Sequence, residues 1–243
     1  MSLKVTRARW APHRTFGLRQ EWVETYVSDP ASWHLSPGFG PIQVLAMYAW
    51  LDTCGLTDPN GEPSQITNLI YGKSSSMLGW QLAWANCVFS FIPAAFYVNL
   101  PVGIMQTSKS IRAALETEYP DRACRTLADG ALELVGLLEC TPIGTELGQG
   151  IVSPTRPRTV RRVGLADPHP AALAHAMRRL FMREQRRELP IDEALLWPWI
   201  VFGCDSEEAL LRMQAGQGHW LQVGPASVNL LAPWEELHDL ALF

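Results

Sequence analysis

The chain has 243 residues, with 20 Lys and Arg against 24 Asp and Glu, a formal net charge of -4, 18% charged and 47% hydrophobic residues. That composition excludes a disordered, collagen-like or low-complexity chain and leaves enough apolar surface for one large domain or two small ones. Five cysteines, Cys54, Cys87, Cys124, Cys140 and Cys204, are widely separated and lack CxxC spacing, which fits a reducing, cytoplasmic setting.

The first 19 residues carry Lys4, Arg7, Arg9, Arg14 and Arg19 with no acidic side chain, and no apolar stretch follows that would make a signal peptide. A helix is expected over Leu18 to Val27. The run Ser36, Pro37, Gly38, Phe39, Gly40 then leads into a helix with Pro41 at its first position and Gly55 as its stop. On that helix Val44, Leu45, Tyr48 and Leu51 share a face. A Pro/Gly/Asn loop covers Asp58 to Pro63.

Residues 74 to 108 contain no Asp, Glu, Lys or Arg, and Met77 to Val98 is long enough to cross a bilayer. Gln81, Asn86, Ser90 and Pro93 would each be costly in hydrocarbon, so the segment reads as a helix buried in a core. Leu78, Leu82, Ala85, Phe89, Ile92 and Phe96 form one ridge, and Trp80, Trp84 and Val88 a second. Pro101, Val102 and Gly103 mark a boundary.

Ser108 caps a helix to Glu118, a second runs from Thr126 to Leu138, and Gly144 to Arg162 reads as a hairpin-like excursion. From Pro170 to Arg187 the pattern is amphipathic, with Leu173, Met177, Leu180 and Phe181 inward and Arg179, Arg183, Arg186 and Arg187 outward. The tail offers short helices at Asp192 to Leu196 and Asp205 to Met213. Two strand-like runs follow, Trp220 to Val223 and Val228 to Leu231, joined by Gly224 to Ser227. Helix, helix and a two-stranded wing is winged-helix order, and residues 108 to 165 repeat it more loosely. The expected fold is therefore mainly α with small β wings: winged-helix-like modules around a helical core. Residues 1–104 make an N-terminal helical domain with the buried Trp-rich helix, 105–167 a helix pair with a wing-like hairpin, and 168–243 a basic helix followed by a C-terminal winged-helix-like module.

Motifs for catalysis are weak. Gly38-Phe39-Gly40 lacks the third glycine of a dinucleotide fingerprint, and Pro41 removes an amide. Gly72-Lys73-Ser74 ends like a P-loop, but Thr67 stands where the first glycine is required. His13, His34, His169, His175, His219 and His238 form no HxxxH or HExxH pair, so no metal site is expected. No GxSxG elbow anchors a nucleophile, and no cofactor is called for. Charge patterning is stronger: residues 151–190 sum to +6 and 191–243 to −7. Arg156, Arg158, Arg161 and Arg162, with Arg179, Arg183, Arg186 and Arg187, are the candidate nucleic-acid contacts; about five phosphate contacts would give a salt slope near −4.5. The competing reading is a solvated face, or pairing with acidic residues of the tail such as Asp205 and Glu208.

The run containing Trp10, His13, Thr15, Phe16, Arg19 and Trp22 resembles the HxTFxxRxxW opening of an uncharacterised bacterial family, number four-thousand-and-seven of the domain-of-unknown-function series. Its second landmark, a Gly-x-Gly turn into a helix ending in an aromatic and Gly-Leu, matches Gly38 and Gly40 through Trp50, Gly55 and Leu56. Further landmarks match the helix pair from Ser108 to Leu138 and the stretch Trp197 to Gly203. The resemblance implies a mostly helical, winged-helix protein encoded beside DNA phosphorothioation genes, including a sulfotransfer enzyme of the phosphoadenosine-phosphosulfate reductase type. Relatives carry a Gly-Lys-Asn turn and a helical Arg where this chain has Gly40-Pro41-Ile42 and Ala46-Met47, which shifts the expected DNA contacts to the arginines of 156–187. The leading reading is thus a non-catalytic accessory protein that contacts double-stranded DNA or joins a DNA-modification complex, with no membrane association. A protein-docking scaffold without DNA contact is the second reading, and an enzyme using a nucleotide or phosphosulfate the third.

Overall fold

The computed structural model describes residues 9–10, 15–58, 60–71, 76–156, 158–190, 200–205, 208–209, 211, 214 and 221–231. The N-terminal part is helical: α1 (Gln20–Ser28), a 3-10 turn (Trp33–Leu35), α2 (Pro41–Cys54), α3 (Gln65–Tyr71), α4 (Ser76–Ser90) and α5 (Ile92–Tyr97). Helix α2 starts on Pro41 and stops where Gly55 takes a left-handed φ of 66°. Its buried face is not the one that Val44, Leu45, Tyr48 and Leu51 share. Ala46, Met47, Trp50, Leu51 and Cys54 are buried, whereas Leu45 and Tyr48 are exposed. The helix is apolar almost all round, so spacing alone does not choose the face that packs.

Helix α4 is the hub, packed against α2, α3, α5 and elements from later in the chain. Its Leu78, Trp80, Leu82, Trp84, Val88 and Phe89 are all buried, as the uncharged sequence anticipates. Gly79 lets α3 lie against it: a Cβ there would sit 2.6 Å from the Ile70 backbone nitrogen. The expected single helix is broken at Phe91. There the Arg9 carbonyl accepts from Ile92 N at 3.1 Å, and Pro93 takes a first-turn position in α5. Among the described residues no helix is long and apolar enough to cross a membrane.

The chain continues through β1 (Met105–Thr107), α6 (Ser108–Glu118), α7 (Cys124–Cys140), α8 (Pro142–Thr145), β2 (Ile151–Val152) and β3 (Thr159–Arg161). The cap of α6 is Thr107 rather than Ser108, its Oγ1 accepting from Ser110 N at 3.0 Å. Strand β3 lies between β1 and β2, antiparallel to both, with Met105 and Ile151 flanking Arg161.

Helix α9 (Pro170–Glu184) follows, capped by the His169 ring and stopped at Gln185, whose φ is 54°. Arg186 and Arg187 therefore lie beyond the helix that the sequence pattern extends over them. Strands β4 (Glu188–Pro190), β5 (Leu221–Val223) and β6 (Ser227–Leu230) form a second antiparallel sheet in the order β4-β6-β5. The helix expected at Asp192 to Leu196 lies outside the described residues, as do the first three residues of the stretch Trp197 to Gly203 and part of the helix Asp205 to Met213. Among the described residues the fold is mainly α with two small three-stranded antiparallel sheets, and the buried apolar side chains form one cluster drawn from Leu18 to Val228.

Candidate functional site

The motif residues near the N-terminus are fasteners. Thr15, at a left-handed φ of 72°, donates its backbone N–H to the buried Glu133 carboxylate of α7 at 2.9 Å. The Phe16 carbonyl accepts from Trp50 Nε1 at 2.7 Å, and Gly17 lies so close to Gly136 that a Cβ on it would come within 2.1 Å of backbone. Arg19 sits 5.7 Å over the Trp22 ring. Phe39, held between Gly38 and Gly40, reaches both Trp22 and Trp33 at ring separations of 5.6 Å. The turn offers no open phosphate cradle: Phe39 N donates to Ser36 O, and Gly40 N to Gln43 Oε1 at 2.7 Å. His13 and the segment Gly72-Lys73-Ser74 lie outside the described residues.

The arginines divide. Arg156, Arg158 and Arg161 are exposed on the β2–β3 hairpin, with Arg158 paired to Glu139 at 2.6 Å. Arg186 and Arg187 are exposed and line one surface hollow with Ala226 and Ser227, at the turn between β5 and β6. Arg162 is withdrawn from any surface role. It is 3% exposed and donates to Val98 O at 2.7 Å, Gln149 Oε1 at 2.9 Å, Val201 O at 3.0 Å and, very closely, Ile200 O. Burial pushes its pKa down to about 10, against the opposing influence of Tyr97 and Cys204, so it stays charged. Arg179 and Arg183 flank the Phe89 ring at 5.8 and 5.5 Å; Arg179 also donates to Ser90 Oγ, and Arg183 pairs with Glu184. These two guanidiniums pack on α4 rather than lying on an open outer face, because α9 is enclosed on more sides than its amphipathic pattern conveys.

Sequence reasoning missed a cavity of about 490 Å³ enclosed by the segment 55–69, α4 and α9. His175, Arg178, Arg179 and Met182, one face of α9, look across it toward Leu82 and Asn86 of α4. Asn86 Nδ2 donates to Cys54 O at 3.1 Å, which fixes its Oδ1 as acceptor for His175 Nε2–H at 2.9 Å. Gly55 makes room for that amide: a Cβ there would lie 2.5 Å from Asn86 Nδ2. The spacing of His175, Arg178, Arg179 and Met182 was legible, but their shared cavity depends on the crossing of α9 with α4.

No protein-family model and no curated protein matches the chain, so the motif around His13 to Trp22 remains a resemblance. Solved structures do match. One, described as magnesium ion-bound SspB, is 15% identical with a TM-score of 0.67, covering 99% of this chain and 89% of that one. Another, described as SspB, is 17% identical with a TM-score of 0.63, covering 96% and 86%. The chain shares the SspB fold. At this identity the likeness establishes architecture, and residue roles have to come from the geometry above. Among the described residues no group of three or more His, Cys, Asp or Glu side chains converges as a metal site requires, so no ligands for the SspB magnesium are assigned in this chain.

Proposed function

We propose that the protein is a non-catalytic accessory component of a DNA phosphorothioation system that contacts duplex DNA through two arginine-bearing wings. Two supports come from outside its own geometry: the N-terminal motif resemblance and the SspB fold over nearly the whole chain. The observation that carries the reading is topological. The first module runs α5, β1, α6, α7, β2, β3 with the last strand central, and the second runs from α9 and β4 to β5 and β6 with the last strand again central. We read each as a winged-helix order, which supports the proposal. Each hairpin has arginines on it or beside it: Arg156, Arg158 and Arg161 on the first, Arg186 and Arg187 at the second. Helix α7, the position of a recognition helix in the first module, is covered by residues 15–18 through Glu133 and Gly136, so backbone contact by the wings is favoured over base reading by that helix.

Fluorescence anisotropy of a labelled duplex at several salt concentrations tests this. Five phosphate contacts give a log–log slope near −4.5, and reversing Arg186 and Arg187 to Glu removes about 1.8 of it. Salt-insensitive binding, or no binding at low salt, refutes the reading.

A protein-docking role has its own support in α2, whose Ile42, Leu45 and Tyr48 form an exposed apolar stripe. Leu45→Lys would then release a sulfotransfer enzyme in gel filtration while leaving the DNA salt slope intact; co-elution unchanged by the substitution removes this reading. The third reading, an enzyme using phosphosulfate or nucleotide, gains nothing from Gly38–Gly40, where the Phe39 and Gly40 amides are engaged within the turn.

A further inference from the structure

We infer that the outward face of the β1-β3-β2 sheet reads base edges in the major groove of a duplex, with Arg161 on a guanine and Met105 and Ile151 on the methyl groups of neighbouring thymines. The inference rests on the proposed duplex contact of the wings and gives the first wing a second task. Side chains alternate across a strand and Val160 is fully buried, so Arg161 belongs to the opposite, outward face. The register sets Met105 and Ile151 directly across from Arg161, one on each side. All three are exposed, Met105 by 67% and Ile151 by 39%. The next row of the same face is hydroxylic. Thr159 lies between Thr107 and Ser153, whose N–H donates to Thr159 O at 2.8 Å.

Single exposed apolar side chains are ordinary, but two of them held in register on either side of one arginine make a composed surface. Charge selects its occupant. Residues 98–115 and 147–166 supply all three strands and their flanks, and they contain one Lys, five Arg and no Asp or Glu. Glu116 and Glu139, from α6 and α7, pair with Arg112 and Arg158, away from the Met105–Arg161–Ile151 row in sequence. A sheet built without carboxylates complements a polyanion better than it does a protein surface of mixed charge.

Size selects the groove. Neighbouring strands lie about 4.8 Å apart, so β1 and β2 are separated by about 10 Å, which fits a major groove about 12 Å wide and not a minor groove about 6 Å wide. The row matches what that groove displays: a guanidinium takes guanine O6 and N7 together, apolar side chains meet the thymine methyl, and a hydroxyl such as that of Thr159 pairs with donors or acceptors. A phosphate would use Arg161 and leave Met105 and Ile151 facing water. With residues 15–18 lying on α7 through Glu133 and Gly136, base reading in this module falls to the sheet. On a duplex without the preferred site Arg161 falls back on phosphate, so the salt slope of non-specific binding is unaffected.

Selection of bound duplexes from a random-sequence pool by the full chain tests the inference, followed by anisotropy on the selected site. A guanine beside thymines should emerge, bound about tenfold or more tightly than a scrambled duplex. Replacing that guanine by 7-deazaguanine, which lacks the N7 acceptor, should weaken binding about fivefold. Replacing the thymines by deoxyuridine, which lacks the methyl, should weaken it about threefold. Arg161→Gln should move the preference from guanine to adenine, whose N6 and N7 suit a side-chain amide. Met105→Ala combined with Ile151→Ala should abolish the deoxyuridine penalty and keep that of 7-deazaguanine. These residues are exposed, so the variants should melt as the wild type does, and the base analogues keep the test valid if a variant unfolds. Duplex binding without base preference overturns the inference, leaves the wing contact standing and assigns the apolar flank to a protein partner. A selected site indifferent to both analogues, or a guanine preference unmoved by Arg161→Gln, overturns it as well. Absence of duplex binding overturns this inference and the proposed function together.

Discussion

Replacing Arg162 separates a structural arginine from those proposed to meet DNA. Its guanidinium serves four acceptors: Val98 O, Ile200 O, Val201 O and Gln149 Oε1. In Arg162→Met, Val201 O keeps Trp84 Nε1 at 2.7 Å, so three buried acceptors lose their donor. At about 1–3 kcal/mol each, and with the relief of no longer burying a charge set against them, the expected loss is about 2–4 kcal/mol. For a chain of this length that lowers Tm by roughly 5–15 °C. Arg162→Lys should be worse than Met. The ammonium retains the cost of burying a charge, while its short reach and single nitrogen cannot span carbonyls spread around a planar fork. Urea denaturation with an unchanged m-value measures both losses, and anisotropy of the folded variants should give the wild-type salt slope. A methionine variant within about 1 kcal/mol of wild type, a lysine variant that outperforms it, or a shallower salt slope refutes the reasoning.

The N-terminal clamp predicts an asymmetry. Gly17→Ala drives a Cβ into Gly136 backbone and should cost about 3 kcal/mol, whereas in Gly136→Ala the nearest contact is 3.0 Å and the helix gains propensity, so its cost should stay below about 1 kcal/mol. Thermal melts of the two variants check this. Among the thiols, Cys124 is exposed while Cys54, Cys87 and Cys204 are buried, so a thiol reagent near neutral pH should label Cys124 first and the buried three only on unfolding. Burial raises the Cys204 pKa from 9.0 to about 11, which favours the protonated thiol in the folded state. Its contribution to stability is full below pH 9 and is lost as pH rises through about 11; Cys204→Ala should flatten that part of a pH–stability profile.

Much of the helical frame was legible because it rests on local chemistry. Pro41 and Gly55 bound α2, and a stretch without charge has nowhere to go but the core, as α4 shows. Faces were less legible. In α2 apolar side chains surround the axis, so Leu45 and Tyr48 look as buriable as Met47 and Trp50 until the neighbouring helices are placed. Strands β1 and β4 were missed for a related reason: each has three residues, and each is a strand only because β3 or β6 pairs with it. The cavity is the extreme case. Asn86 and His175 meet across 89 positions, one polar in an uncharged helix and the other on an amphipathic one, and nothing in either sequence pattern pairs them.

The arginine-rich middle carries a structural meaning besides its proposed affinity for polyanions. Helix ends leave carbonyls without intrahelical donors, and inside a protein these need partners. Val98 is the cap residue of α5, and residues 200–202 are the last helical ones before Gly203, so Arg162 gathers carbonyls from two helix ends that meet in the core. Arg179 binds the hydroxyl of Ser90, the last residue of α4. A guanidinium suits such places: it offers five donors in a plane, and its charge opposes the negative end of a helix dipole. Arg162 and Arg179 are therefore explained by where helices terminate and Arg183 by its packing on Phe89 and its pairing with Glu184, and Arg156, Arg158, Arg161, Arg186 and Arg187, on or beside the two hairpins, are left for the proposed contact of a chain of net charge -4 with DNA.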